Sequence, residues 1–161
     1  MAADLTIFID VDRQEFVQSA SSLQPLTTIG FVQGEQLNVA AQMLQLTGDG
    51  LSPFVNIDPT GWTLAFGLGY IDATGTSQLI ALANTSALTA ISGLSGNTAL
   101  AFVLDLDTTA ASALLAGVYS SPIWIEAAWN ENSATTALLN KCQVQGTIKA
   151  GFLGVGLPAP V

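Results

Sequence analysis

The stretch Trp62-Thr63-Leu64-Ala65-Phe66-Gly67-Leu68-Gly69-Tyr70 alternates large apolar residues with small ones. A period of two is the pattern of a β-strand, in which successive side chains point to opposite faces. One face of this strand therefore carries aromatic and leucine side chains, and the other carries threonine, alanine and glycine. A face made of such small residues lets another sheet or subunit come close. The chain is accordingly predicted to be mainly β.

The same period of two recurs along the rest of the chain. Turn-forming residues separate the alternating segments, and the total of about seven or eight strands predicts an antiparallel β-sandwich or jelly roll. The strands are predicted at 5–11, 27–32, 36–46, 62–70, 78–82, 99–106, 123–129 and 140–150.

Two segments have the composition of short helices. Residues 107–117 are rich in Ala and Leu, with Asp107 or Thr108 as the N-terminal cap and Gly117 as the C-terminal stop. Residues 85–91 have the composition of a single helical turn. The predicted sandwich therefore carries one short helix, at 107–117, on its surface.

The 161 residues fit one compact domain with two dissimilar ends. Residues 1–24 are predicted to form an N-terminal arm or strand that ends in the linker-like segment Gln18–Ser22. This strand is expected to pair far along the chain or with a neighbouring subunit. Residues 25–150 form the predicted sandwich, and residues 151–161, which contain several Gly and Pro, are expected to be an extended tail.

Charged residues are scarce, and most of them are acidic. They make up 9% of the chain, against about 25% in an average protein, and Arg13, Lys141 and Lys149 oppose twelve acids. A chain with a net charge of −9 lacks the basic patch that nucleic acid or an anionic membrane surface requires, so neither is a predicted partner. No secretory signal or apolar run of membrane-spanning length is recognised.

The shortage of charge also bears on assembly. A soluble monomer normally keeps its surface charged and free of large apolar patches. Part of this surface is therefore expected to be covered by other subunits. A monomer coated with neutral polar residues stays open as an alternative.

The chain contains no histidine, which removes the commonest general base and the commonest metal ligand. Cys142 is the single cysteine, so it can form neither an intrachain disulfide nor a Cys–His pair. Strand alternation places Cys142 on a buried face. The protein is therefore predicted not to be an enzyme, and to bind no cofactor and no zinc.

Carboxylates are the remaining candidates for chemistry. The pairs Asp10/Asp12 and Asp105/Asp107 have the spacing that places both acids on one face of a strand. Such pairs can bind calcium, or they can be solvated acids that border a turn, which is the simpler interpretation. Glu126 is an isolated acid within a strand. A hydrolase that uses acids alone needs two carboxylates converging in a cleft, and it stays an alternative.

Three tryptophans are candidates for a ligand-stacking platform. Trp62 and Trp129 align with apolar neighbours, as core aromatic residues do. Trp124 shares a strand face with Glu126, and it is therefore the residue predicted to stack on a sugar ring if the protein binds a glycan. The competing assignment for Trp124 is the core or a subunit interface.

Five segments follow one another in the order Phe31-Val32-Gln33-Gly34-Glu35, Trp62–Leu68, Leu104–Thr108, Ile125–Trp129 and 136–148. This order, over residues 27–150, resembles that of small virion structural proteins of tailed bacteriophages. The resemblance is closest to the N-terminal sandwich domains of baseplate and tail-fibre-attachment proteins. It implies a non-catalytic virion module, assembled in the host cytoplasm, that packs in rings or trimers and adds strands or arms to its copies and to other virion proteins.

Decoration of the capsid surface is a related role for a virion module of this kind. The chain lacks the long repetitive stalk of fibre proteins, which argues against receptor binding at a distal tip. Subunit contacts are expected in the first strand and in the tail, at Leu5, Ile7, Phe8, Ile9, Leu153, Val155 and Leu157. The alternative function is a carbohydrate-binding module or a lectin-like receptor-binding domain that uses Trp124.

Overall fold

A computed structural model describes residues 3–32, 34–48, 52–90, 98–106, 123–131 and 140–149. Within these ranges the fold is all-β, which confirms the predicted class, and no helix is long and apolar enough to cross a membrane. The strands are β1 (Leu5–Asp10), β2 (Glu15–Ser19), β3 (Ser22–Pro25), β4 (Thr28–Val32), β5 (Gln36–Leu46), β6 (Phe54–Asn56), β7 (Thr63–Ile71), β8 (Ser77–Thr85), β9 (Leu88–Thr89), β10 (Ala99–Asp105), β11 (Ile123–Asn130) and β12 (Asn140–Lys149).

The strands form two sheets, and the predicted sandwich is confirmed. The first sheet has the order β3-β2-β1-β5-β10-β9, with β6 also paired to β5, and the second has the order β4-β12-β11-β7-β8. Both sheets are mixed, whereas the sequence predicted an antiparallel sandwich. One pair in each sheet is parallel, since β1 runs parallel to β5 and β4 runs parallel to β12. These partners are distant in the chain, whereas strands joined by a short hairpin must be antiparallel.

The core lies between the two sheets and is centred on Phe66. Phe66 of β7 packs against Phe102 of β10, with ring centroids 4.9 Å apart, and its ring meets that of Phe16 of β2 edge-on at 6.5 Å. Phe16 and Phe102 belong to the first sheet and Phe66 to the second. On the predicted inward face of β7, Leu64, Phe66 and Leu68 are buried, and Tyr70 is half-buried and packs against the core.

Short connections cross both open sides of the sandwich. β3, at the edge of the first sheet, leads through residues 26–27 into β4, at the edge of the second. On the other side β8 leads through residues 86–87 into β9, and the Thr85 hydroxyl donates a hydrogen bond to the Ala101 carbonyl at 2.7 Å. Exposed strand edges are sites of unwanted pairing, and these links join the edges of the two sheets within the chain.

The N-terminal strand lies inside the first sheet and is not a separate arm. β1 pairs with β2 on one side and with β5 on the other. Ile7 and Ile9 are 3% and 0% exposed in the core, and Leu5 packs against the same core. Phe8 points to the opposite face, where it packs against a second small cluster of Val17, Leu44 and Phe54. Ile7 and Ile9 are therefore enclosed by the chain's own sandwich and cannot reach a second subunit.

Two further predictions, both made from local composition, are wrong. The linker-like segment Gln18–Ser22 is the hairpin between β2 and β3, in which Ser19 pairs with Ser22. Leu88 and Thr89 form a strand beside β10, although residues 85–91 have the composition of a helical turn. The predicted helix at 107–117 lies outside the described residues. So does the tail at 151–161, with its expected contact residues Leu153, Val155 and Leu157.

Candidate functional site

The outer face of the second sheet carries an open groove of about 760 Å³. Ala65, Gly67 and Gly69 of β7 form its floor, which is the small-residue face predicted from the sequence. A Cβ atom on Gly69 would lie 2.8 Å from the Gln78 carbonyl oxygen, and one on Gly67 would lie 3.2 Å from the Ala81 carbonyl oxygen. The neighbouring backbone thus leaves little room for larger side chains on this floor. We call this feature the β7 groove.

Trp124 of β11 forms one wall of the β7 groove. Its register partner on β7 is Gly69, so no side chain from that position covers the indole. Trp124 is 42% exposed, whereas its neighbour Ile125 is buried in the core. The prediction that Trp124 shares the face of Glu126, away from Ile125, is confirmed.

The opposite wall is built by Leu79 and Leu82 of β8, which are 58% and 55% exposed. Residues three apart on a regular strand point to opposite faces, but β8 contains a bulge beside Gly69. Leu68 pairs with Ala81 and Gly69 pairs with Leu79, which leaves Ile80 without a partner in the register. Ile80 and Ala81 both turn inward as a result, and both leucines lie outside.

Sequence reasoning missed this wall because it treated the segment as a regular strand. The available signal was the pair Ile80-Ala81 between two leucines, which interrupts the alternation. A break of this kind is the pattern that a bulge leaves in a sequence.

Polar groups line the β7 groove on the side of β12. The Gln143 Nε2 atom donates a hydrogen bond to the Glu126 Oε2 atom at 2.6 Å, and Lys141 also borders the groove. Glu126 and Lys141 carry opposite charges, so the groove has no net charge in a chain of net charge −9. Within the described part of the chain, Glu126 is the only carboxylate that lines the groove. Acid-only hydrolysis requires a second carboxylate there.

The acids Asp10 and Asp12 stabilise the turn after β1. Asp10 is fully buried, and its Oδ1 atom accepts hydrogen bonds from the backbone N–H groups of Asp12 at 3.0 Å and Arg13 at 3.1 Å. The Arg13 guanidinium forms an ion pair with the same carboxylate. The Asp12 Oδ2 atom accepts a hydrogen bond from the Leu46 N–H at 2.8 Å. Both carboxylates therefore bind groups of the protein itself.

The other predicted acidic pair is only partly described. Asp105 is half-buried at the end of β10, and Asp107 lies outside the described residues. In the described ranges, no three residues of His, Cys, Asp or Glu are grouped so that they could hold a metal ion. Calcium binding by either pair stays a prediction.

Cys142, Trp62 and Trp129 lie in the core, where the strand alternation predicted them. Burial of the Cys142 thiol in β12 raises its pKa to about 12. The reactive thiolate form is therefore scarcely populated at neutral pH. These three residues support the fold, and Trp124 is the tryptophan that is available at the surface.

No model of a known protein family matches this sequence, and no curated protein sequence is significantly similar to it. The resemblance to virion proteins of tailed bacteriophages therefore stays a prediction. The fold and the β7 groove define the chain as a mixed β-sandwich with an apolar surface on one sheet. Function is inferred from that surface.

Proposed function

We propose that this protein is a non-catalytic structural subunit that acts through contacts with other subunits. The β7 groove is the observation that carries the proposal. Trp124, Leu79 and Leu82 are large apolar side chains, and each is more than two-fifths exposed around a floor of glycine. A contiguous apolar surface rimmed by polar groups is typical of a protein–protein contact.

The scarcity of charge supports the same function. Charged residues make up 9% of the chain, and twelve of them are acids. Such a surface keeps an isolated chain in solution less well than an ordinary mixed-charge surface does. Coverage of the apolar face by another subunit removes this disadvantage.

The particle to which the subunit belongs is proposed from the resemblance alone. The order of segments in residues 27–150 supports a tailed-phage virion, with the tail, the baseplate, the fibre-attachment region or the capsid surface as its place. In a lysate of induced source cells separated on a density gradient, we expect the protein to sediment with phage particles. Its recovery only among slowly sedimenting proteins would contradict this assignment.

The subunit function itself is tested by the native mass of the purified full chain. Sedimentation velocity over a wide concentration range is expected to show a species larger than the monomer of 16.6 kDa. A chain that stays monomeric at the highest attainable concentration, with the β7 groove exposed, would refute the proposal.

A carbohydrate-binding module is the second candidate function. Trp124 offers a stacking surface, and the hydrogen-bonded pair of Glu126 and Gln143 lies beside it with donors and acceptors for sugar hydroxyls. Glycan-array binding that is lost in Trp124→Ala and kept in Val103→Ala would favour this function, because Val103 is exposed on the other sheet. Leu79 and Leu82 on the opposite wall favour an apolar protein partner.

A further inference from the structure

We infer that the occupant of the β7 groove is the same face of a second copy, so that two second sheets pack against each other around a twofold axis. This inference rests on the proposed function and names the partner of the same surface. Three properties of the face carry it, namely its shape, its charge and its area. In the described residues the shape concerns β7, β8 and β11, and the charge and the area concern all five strands of the second sheet.

The shape of the face is self-complementary. Trp124 projects from β11, and the register places it directly beside the hollow at Gly69. In a twofold contact a residue i of one copy meets residue j of the other, and j meets i in return. Trp124 of each copy can therefore enter the glycine-floored hollow of the other, between Leu79 and Leu82.

The distribution of charge singles out this face as well. The strands of the second sheet contain one acid, Glu126, and two bases, Lys141 and Lys149, which leaves a net charge of +1. Because the whole chain has a net charge of −9, everything outside this sheet carries −10. Two copies repel each other through those acidic regions. The repulsion is weaker where two second sheets meet, because their strands hold one acid and two bases, with Asp72 in the adjoining turn between β7 and β8 as a further acid.

The area of the face suits a moderately stable contact. Strands lie about 4.8 Å apart and rise about 3.3 Å per residue. The five strands of the second sheet are 5 to 10 residues long, so together they cover roughly 650 Å². A standard protein–protein interface buries about 800 Å² of each partner. The expected result is a dimer that dissociates on dilution, because the face approaches this size and its centre is apolar.

The test compares the full chain with two variants in the groove and one matched control. Leu82→Asp places a charge in the apolar centre, and Trp124→Ala removes the projecting ring. Val103→Asp is the control, because Val103 is 51% exposed on the first sheet. Sedimentation velocity gives the dimer dissociation constant, and far-UV circular dichroism checks that each variant is folded.

We expect the wild-type chain and Val103→Asp to dimerise alike, and each groove variant to raise the dissociation constant by about tenfold or more. An oligomer that persists unchanged in both folded groove variants would overturn this inference and leave the proposed subunit function standing. A chain that is monomeric in every form would overturn both. A monomer that binds glycans only when Trp124 is intact would replace both with the carbohydrate-binding function.

A second measurement does not depend on the folding of a variant. Trp62 and Trp129 are buried in the core, so dilution of the wild-type chain changes the surroundings of Trp124 alone. We expect its fluorescence to shift to longer wavelength as the dimer dissociates. An emission spectrum that is constant while the sedimenting mass falls would place the contact elsewhere and overturn the inference.

Discussion

Cys142 shows how a single side chain depends on its place in the sheet. It faces the core from β12, and burial raises the pKa of its thiol to about 12. The absence of histidine from the chain leaves no imidazole to counter this effect. Cys142 is thus an inert core residue, although a lone cysteine in a sequence often suggests a nucleophile.

The first prediction concerns the reactivity of Cys142. At pH 8 we expect the folded chain to react with a disulfide reagent such as DTNB at least a hundred times more slowly than the chain unfolded in guanidinium chloride. The reason is that burial keeps the reagent away from the sulfur atom, and the raised pKa keeps the thiol protonated. The absorbance of the coloured thiolate that the reagent releases gives both rates. Equal rates would contradict the buried position of Cys142.

Asp72 illustrates the opposite shift at a turn. Its carboxylate, in the turn between β7 and β8, accepts hydrogen bonds from the Thr74 hydroxyl at 2.6 Å, the Gln78 amide at 2.9 Å and the Thr76 N–H at 3.0 Å. These bonds, the Thr74 hydroxyl first, hold the pKa of Asp72 well below its usual value. The ionised carboxylate thus organises the turn beside the β7 groove.

The second prediction follows from the sign of that shift. A lowered pKa contributes stability at pH values above the unfolded pKa of about 3.9, and the contribution is lost as the pH falls further. Asp72→Ala should therefore lower the melting temperature at neutral pH, and the difference from wild type should shrink in acid. Thermal unfolding followed by circular dichroism from pH 7 downward measures this. A difference that does not depend on pH would exclude the carboxylate as its cause.

At the scale of elements, the β7 groove is produced by two neighbouring strands with different irregularities. The irregularity of β7 is the lack of side chains on its outer face at Gly67 and Gly69. β8 has full side chains but contains the bulge that turns both Leu79 and Leu82 outward. The carbonyl groups of β8 lie close to the glycines, so each irregularity depends on the other.

The third prediction tests this dependence. Gly69→Ala should destabilise the fold by about 1–3 kcal/mol, because its Cβ would lie 2.8 Å from a backbone oxygen that cannot move without shifting β8. Gly67→Ala is the matched control and should cost less, because its closest backbone atom would be 3.2 Å away. Urea unfolding gives both free energies. Equal losses in the two variants would show that the bulge does not restrict Gly69 more than Gly67.

At the scale of the whole molecule, the two sheets are joined by one core and by the short links at both edges. Phe66 lies at the centre of that core, against Phe16 and Phe102 of the opposite sheet. The sandwich should therefore unfold as one unit, since in the described ranges the inner face of each sheet packs on the other sheet.

The fourth prediction concerns this cooperativity. Phe66→Ala should lower the free energy of unfolding by about 3–5 kcal/mol, because it removes a fully buried ring shared by both sheets. Val103→Ala is the control at the surface, on the first sheet away from the β7 groove, and should change it by about 0.5 kcal/mol or less. Denaturant curves followed by tryptophan fluorescence and by circular dichroism should coincide for each chain. Separate transitions from the two probes would show that the sheets unfold independently.

Much of this architecture could be predicted from the sequence because strand alternation is a local property. The period of two placed Leu64, Phe66 and Leu68 in the core, and it placed Trp124 on the strand face of Glu126, which the folded structure shows to be exposed. The composition showed that no side chain can pair with an imidazole, since histidine is absent, and the alternation placed Cys142 on an apolar strand face. Each of these results depends only on neighbouring residues and on burial.

The tertiary structure alone decided which strands pair and in what register. Nothing local to Leu5–Asp10 shows that this strand lies between β2 and β5, with its isoleucines in the core. The strands β3, β6 and β9 are two to four residues long, too short to show a period, and they form because a longer strand offers hydrogen bonds. The bulge in β8 leaves a trace in the sequence, the pair Ile80-Ala81, but its position opposite Gly69 depends on the pairing with β7. Pairing is a property of residues far apart in the chain, so only the folded chain determines it.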